Sequence, residues 1–213
     1  MSMDVLDLHG ASAAVHAVRL LMDEHRDRLV ALDQAIGDGD LGLTMTKAFA
    51  AADDYAASAS AVTPGKMLMQ AGMAMAKAAP STMGTLVATG FMRGGKAIAE
   101  AAALDTSGLA SFFRAFTAGI MERGKTQLGN KTVVDALDPA ATALEAAAAR
   151  GADIRTALAE AATAAEHGRT AARQMMSQHG KAAVFREQTI GIDDPGAAVG
   201  ALILQGFAAS VQT

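Results

Sequence analysis

No cysteine occurs anywhere in the chain, which removes disulfides and thiol chemistry and fits a reducing compartment. Aromatic residues make up only 4% of the sequence, and β-branched residues are few beside abundant alanine and methionine. That mixture disfavours sheets and suits closely packed helices, because Ala and Met are good helix formers. No basic patch, and no basic run interleaved with aromatics, is present. Acids and bases are interspersed to a formal net charge of −4, so a nucleic-acid role has little support. The N-terminus shows no charged-then-apolar leader pattern, and no uninterrupted apolar run reaches membrane-spanning length. A soluble cytoplasmic protein with no membrane or nucleic-acid partner is the expectation.

What is present is 213 residues, enough for one domain with a well-buried core. The expectation is a single domain over residues 1–213, all-α, with about eight antiparallel helices in an up-and-down bundle or barrel. Apolar residues at three- and four-residue steps predict helices from Ala11 to about Leu32, Leu43 to Ala57, Pro64 to Ala79 and Thr82 to Ala103. Further helices are predicted over Thr106–Arg123, Thr132–Arg150 and Asp153–Gln178. A last helix opens with Asp194 as N-cap and Pro195 in its first turn. Ser58–Pro64 reads as a linker. Ser81 or Thr82 caps the Thr82 helix, and Ser107 lies near the cap of the next. The methionines Met67, Met69, Met73 and Met75 read as adaptable core filler, and Phe112, Phe113 and Phe116 fall on the apolar side of their helix. Gly180–Asp193 lacks periodicity, and a loop that long inside a helical domain is often functional.

The chemistry concentrates in Asp33-Gln34-Ala35-Ile36-Gly37-Asp38-Gly39-Asp40-Leu41-Gly42. Like charges this close repel unless a cation sits among them, and hard carboxylate oxygens suit Mg²⁺ or Ca²⁺. The helix expected just after them would present unpaired N–H groups and its positive dipole end, where a phosphate is favoured. Gly/Asp stretches also serve as plain surface turns, and from the residues alone both readings stand. An EF-hand loop does not fit: counted from Asp38, position 5 is Gly42 and position 12 is Phe49. Gly124-Lys125-Thr126 lacks the preceding strand and the spacing of a P-loop.

Four stretches in order and spacing resemble a known family. They are Leu32-Asp33-x4-Asp38-Gly39-Asp40-x-Gly42-x-Thr44-Met45, Gly84-Thr85-Leu86, Gly129-Asn130-Lys131-Thr132-Val133-Val134-Asp135, and Gly180-Lys181-Ala182 leading to Asp194-Pro195-Gly196-Ala197. The chain is similar over nearly its whole length to the nucleotide-binding L subunit, or L domain, of dihydroxyacetone kinases. The resemblance implies an eight-helix barrel holding ADP or ATP through two Mg²⁺ ions, with Asp33, Asp38 and Asp40 as metal ligands. It implies phosphate contacts from Leu41, Gly42, Leu43 and Thr44 and from Thr82, Met83 and Gly84. The nucleoside end is then enclosed by Gly129 and by Asp194, Pro195 and Gly196. It also implies a separate K-type subunit that holds the small ketose or polyol through a histidine, without which this chain is inactive. The phosphoryl donor is either free ATP or a phosphotransferase-system protein. The chain departs from the family pattern at Leu41, where a polar or sulfur-bearing residue is usual, at Met83 in place of serine, and at Lys181 and Gln188 in place of arginine. Those departures motivate an alternative, a nucleotide-sensing adaptor without catalysis.

Overall fold

The computed structural model describes residues 5–58 and 63–212. Nine α-helices are found among them: α1 (Leu8–Glu24), α2 (Arg26–Ile36), α3 (Leu41–Ser58), α4 (Pro64–Ala78), α5 (Thr82–Ala97), α6 (Thr106–Gly124), α7 (Val134–Ala149), α8 (Ile154–Ala172) and α9 (Pro195–Ala209). A 3-10 segment, Lys181–Thr189, kinks at Arg186 and lies between α8 and α9. No β-strand occurs among the described residues, and no helix is long and apolar enough to cross a membrane. Most of the expected linker Ser58–Pro64 lies outside the described residues; α4 opens on Thr63, whose side chain accepts from Lys66 N.

From α3 to α9 each helix packs against the next, and α1 packs against both α3 and α9, closing a ring of eight. The ninth, α2, packs against α3 and α9 and reaches the 3-10 segment. The all-α barrel expectation is met, with α2 as the addition. The predicted Ala11–Leu32 helix is two, α1 and α2, separated at His25 with ψ 8°. The apolar register continues through His25, so periodicity carries no signal for the break.

Other helix ends move for identifiable reasons. Helix α5 stops at Ala97 instead of Ala103, because Leu104 pairs its main chain with Leu6 (Leu6 N to Leu104 O 2.7 Å, Leu104 N to Leu6 O 2.8 Å). Helix α6 is capped by Asp105, which accepts from Gly108 N at 2.7 Å, and not by Ser107. Helix α8 ends at Ala172, six residues before the predicted Gln178, because the carbonyls beyond it turn toward Lys131.

Six of the seven phenylalanines are fully buried: Phe49, Phe91, Phe112, Phe113, Phe116 and Phe207. They come from α3, α5, α6 and α9, and most meet edge to face, a favoured geometry for aromatic pairs. Helix α9 is apolar all round and buried along almost its whole length, as such a helix must be. Of the methionine stripe, Met67 and Met75 are core, while Met73 is about half exposed. Helices α4 and α5 approach closely because Gly65 and Gly95 face each other; a Cβ on Gly95 would sit 2.5 Å from Gly65 O.

Candidate functional site

One end of the barrel gathers the last turn of α2, the first turns of α3, α5 and α9, the α6–α7 connection and the start of the 3-10 segment around a cleft of about 340 Å³. Asp33 stands on the last turn of α2, and its Oδ2 accepts from Leu41 N at 3.2 Å, so the carboxylate sits over the opening of α3. Thr44 N is the first amide of that helix to find a helical carbonyl, Asp40 O at 2.9 Å. The connection between α2 and α3 needs its glycines. A Cβ on Gly37 would fall 2.2 Å from Asp33 Oδ1, and Gly39 is left-handed at φ 77°. These constraints bring carboxylate oxygens of Asp33, Asp38 and Asp40 within 4.8 Å of one another. Opposite ligands of an octahedral Mg²⁺ lie about 4.2 Å apart, twice the Mg–O distance, so the three carboxylates match such an ion with small side-chain adjustment. Asp38 and Asp40 are exposed, and Asp38 is ion-paired with Lys181 from the 3-10 segment.

Two further helix N-termini open on the same cleft. Ser81, not Thr82, caps α5, its Oγ accepting from Gly84 N at 3.0 Å, while Thr82 is exposed beside Met83 at the rim. Asp194 caps α9, accepting from Ala197 N at 2.6 Å, with Pro195 in the first turn. Gly196 brings α9 close to α5: a Cβ there would lie 3.1 Å from Met83 Cε. Three positive helix ends facing one cleft with three carboxylates at its edge favour an anion that shares a cation.

Asp33, Asp38, Asp40, Leu41, Thr82, Met83, Asp194, Pro195 and Gly196 line the cleft. Gly42, Leu43, Thr44, Gly84 and Gly129 do not. Gly42 is packed on Arg26 O of α2, Leu43 is half exposed, and Gly84 is packed on Ala79 O. Gly129 sits at φ 89° with its N–H donated to Asp135 Oδ1 at 2.6 Å, so it serves the turn and leaves the wall to Gly124, Thr126, Lys131, Thr132 and Val133. His179 and Ala182 also line the cleft; Ala182 falls in the Gly180-Lys181-Ala182 stretch of the family pattern, while His179 carries no sequence signal beyond the aperiodic loop.

Burial pushes the Asp194 carboxyl up to about 7 against the pull of its backbone donors and of Lys131, and burial likewise lowers the Lys131 ammonium. Between about pH 4 and 7, the unfolded chain has released the Asp194 proton while the folded chain keeps it. Raising pH through that window therefore costs stability. Asn at 194 keeps a capping oxygen and removes the titration. Asp194→Asn is expected to flatten the fall in urea-unfolding free energy from pH 4 to 7; parallel pH profiles for the two proteins would contradict this.

A family model described as the DAK2 domain matches residues 35–209. The chain belongs to the DAK2 domain family. It is 30% identical, over 79% of its length and 80% of the relative's, to the PEP-dependent dihydroxyacetone kinase, ADP-binding subunit DhaL, of Escherichia coli. It is also 30% identical, over 90% and 89%, to the corresponding subunit of kinase 1 from Listeria innocua. The L-erythrulose kinase of Pectobacterium atrosepticum is 29% identical over 94% of this chain but only 34% of its own. The crystal structure of the dihydroxyacetone kinase of C. freundii shares the fold, with a TM-score of 0.71 at 23% identity over 94% of this chain and 34% of that one. This DAK2 member has helices and no β-strand among its described residues.

Proposed function

We propose that the chain is the ADP/ATP- and Mg²⁺-binding subunit of a dihydroxyacetone-type kinase. It passes a phosphoryl group to dihydroxyacetone or a related small ketose or polyol held on a separate K-type subunit. The observation that carries this reading is the meeting of the Asp33, Asp38 and Asp40 oxygens within 4.8 Å at a cleft onto which three helix N-termini open. The names of relatives support it, since those matched along most of their length are ADP-binding subunits, and a C. freundii enzyme of the same fold is described in complex with AMP-PNP and Mg²⁺.

Asp33, Asp38 and Asp40 would hold Mg²⁺, two ions in the full reading, which supplies charge neutralisation on the β- and γ-phosphate oxygens. The chain's own residues bind and orient. The amides of Thr82 and Met83 at the start of α5 receive phosphate oxygens, the positive ends of α3 and α9 add their dipoles, and Lys181 adds a positive charge beside Asp38. The apolar side chains of Leu86 and Val133 in the cleft wall help exclude water from the bound nucleotide. No nucleophile is required, because the acceptor hydroxyl comes with the partner.

A second reading, a nucleotide-sensing adaptor without catalysis, is favoured by the departures from the family pattern at Gln188 and at Leu41 and Met83, the last two of which line the cleft. Mixing separates the two. Chain, matching K-type subunit, ketose and Mg²⁺ are combined with ATP, or with ADP and a phosphotransferase-system donor. Sugar phosphate is expected in one arm, and which arm identifies the donor. Mg²⁺-dependent nucleotide binding without sugar phosphate in either arm would favour the adaptor.

A further inference from the structure

The residues that cover the phosphate side of the cleft belong to a strap, residues 173–192, closed at its base by Gly191 N donating to Arg173 O at 2.8 Å and Arg173 Nε donating to Gly191 O at 2.6 Å. Inside that base sits the ammonium of Lys131. It donates to four main-chain carbonyls, Arg173 O at 3.3 Å, Met175 O at 3.1 Å, Thr189 O at 2.5 Å and Ile192 O at 2.8 Å. Three N–H groups serve four acceptors, two from each limb of the strap. Only 2% of Lys131 is exposed, and its backbone is left-handed at φ 57°, a region that non-glycine residues enter at a penalty. From that conformation the ammonium reaches all four carbonyls of the base. Its neighbour Asn130 holds the same strap from the other side, accepting from His179 Nε2 at 3.0 Å and, through its carbonyl, from Gln178 N at 3.2 Å.

We propose that Lys131 is a positioning residue. Its ammonium is an internal cation that locks the base of the strap and so sets where the wall His179–Ala182, with Lys181, stands against Asp38. It acts through the strap, because all its ammonium N–H groups are taken up by main-chain carbonyls even though the residue borders the cleft. A neutral side chain of equal length leaves four buried carbonyls short of donors, and the two limbs part. A surface lysine of the same turn would carry no such consequence.

The inference rests on the nucleotide reading for one arm of its test only. In hydrogen–deuterium exchange without ligand, Lys131→Met is expected to raise exchange across 176–191 at least tenfold while α5 and α6 stay protected. Calorimetry with Mg²⁺ and ADP is expected to show affinity at least tenfold weaker, with the melting transition of the barrel retained. Because the chain has no cysteine, Lys131→Cys alkylated in denaturant with 2-bromoethylamine and refolded regains an ammonium of near-lysine length, whereas iodoethane leaves a neutral arm. Strap protection is expected to return with the first and not the second. Unchanged strap exchange in Lys131→Met would overturn the proposal. Exchange raised equally throughout the barrel, or failure of Lys131→Met and the aminoethylated protein alike to fold, would assign Lys131 to the barrel itself. If wild-type protein bound no ADP, the nucleotide reading would fall while the exchange arm still decided the role of Lys131.

Discussion

Asp38→Asn is expected to weaken Mg²⁺-dependent ADP binding by about tenfold or more, about 1.4 kcal/mol, while the protein melts where the wild type does. Asp38 projects from a glycine-flanked turn with its side chain 44% exposed, and its ion pair is with an exposed Lys181. Exposed pairs contribute roughly 0–1 kcal/mol, so the fold loses little. The binding site loses one of the three carboxylate charges that hold the dication, and it is the dication that offsets the repulsion between carboxylates and phosphates. Asn keeps the shape and one oxygen but cannot supply the anionic charge that a hard dication selects. Calorimetric titrations with ADP, with and without Mg²⁺, check the prediction. The decisive quantity is the ratio between the two conditions, since ADP held by helix N-termini alone would bind equally in both. An unchanged ratio would remove Asp38 from the metal site. Lys181→Met offers a contrast of opposite sign. With the competing ammonium gone from Asp38, Mg²⁺ alone is expected to bind more tightly and ADP, now lacking that charge, less tightly.

The second large effect lies in the core. Phe91→Ala is expected to destabilise the protein by about 3–5 kcal/mol in urea unfolding, the usual range for deleting a buried aromatic ring. Phe91 is fully buried on α5 and lies edge-on to Phe49 of α3 at 5.9 Å and to Phe112 and Phe116 of α6 at 6.0 and 5.3 Å. Its ring joins three helices of the closed barrel, and neighbours held by other rings have little room to collapse into the cavity. Against a total stability of roughly 5–15 kcal/mol, such a loss leaves a marginal protein. Phe185, the remaining phenylalanine, is 38% exposed on the 3-10 segment, and Phe185→Ala is expected to change stability by less than about 0.5 kcal/mol. Equal losses for the two variants would show that the aromatic cluster does not organise the core.

Legibility in the sequence divides by the range of the interactions. The caps Ser81 and Asp194 and the proline openings of α4 and α9 were readable, because a cap is satisfied within three residues of itself. The acidic cluster was readable for a related reason: eight positions hold three carboxylates, and the intervening glycines restrict how the chain can turn. Met73 is half exposed; a stripe at helical spacing does not say which side meets the core when small alanines populate several faces. The resemblance points to the loop at Gly129, and that loop does reach the cleft through Thr126, Thr132 and Val133, while the amide of Gly129 itself is occupied by Asp135 six residues on.

The sequence by itself determined that the chain is helical, where most helices begin, and that Asp33, Asp38 and Asp40 stand beside the start of one of them. Periodicity and capping act over a turn or two, and their residues are neighbours along the chain. Only the tertiary structure decided that α1 breaks at His25, that three helix N-termini face one cleft, and that α8 ends early so its last carbonyls can meet Lys131. That ammonium binds main-chain oxygens 42 to 61 positions away. A backbone carbonyl is the same in every residue, so nothing in the sequence of residues 173–192 marks them as partners of a lysine in another loop.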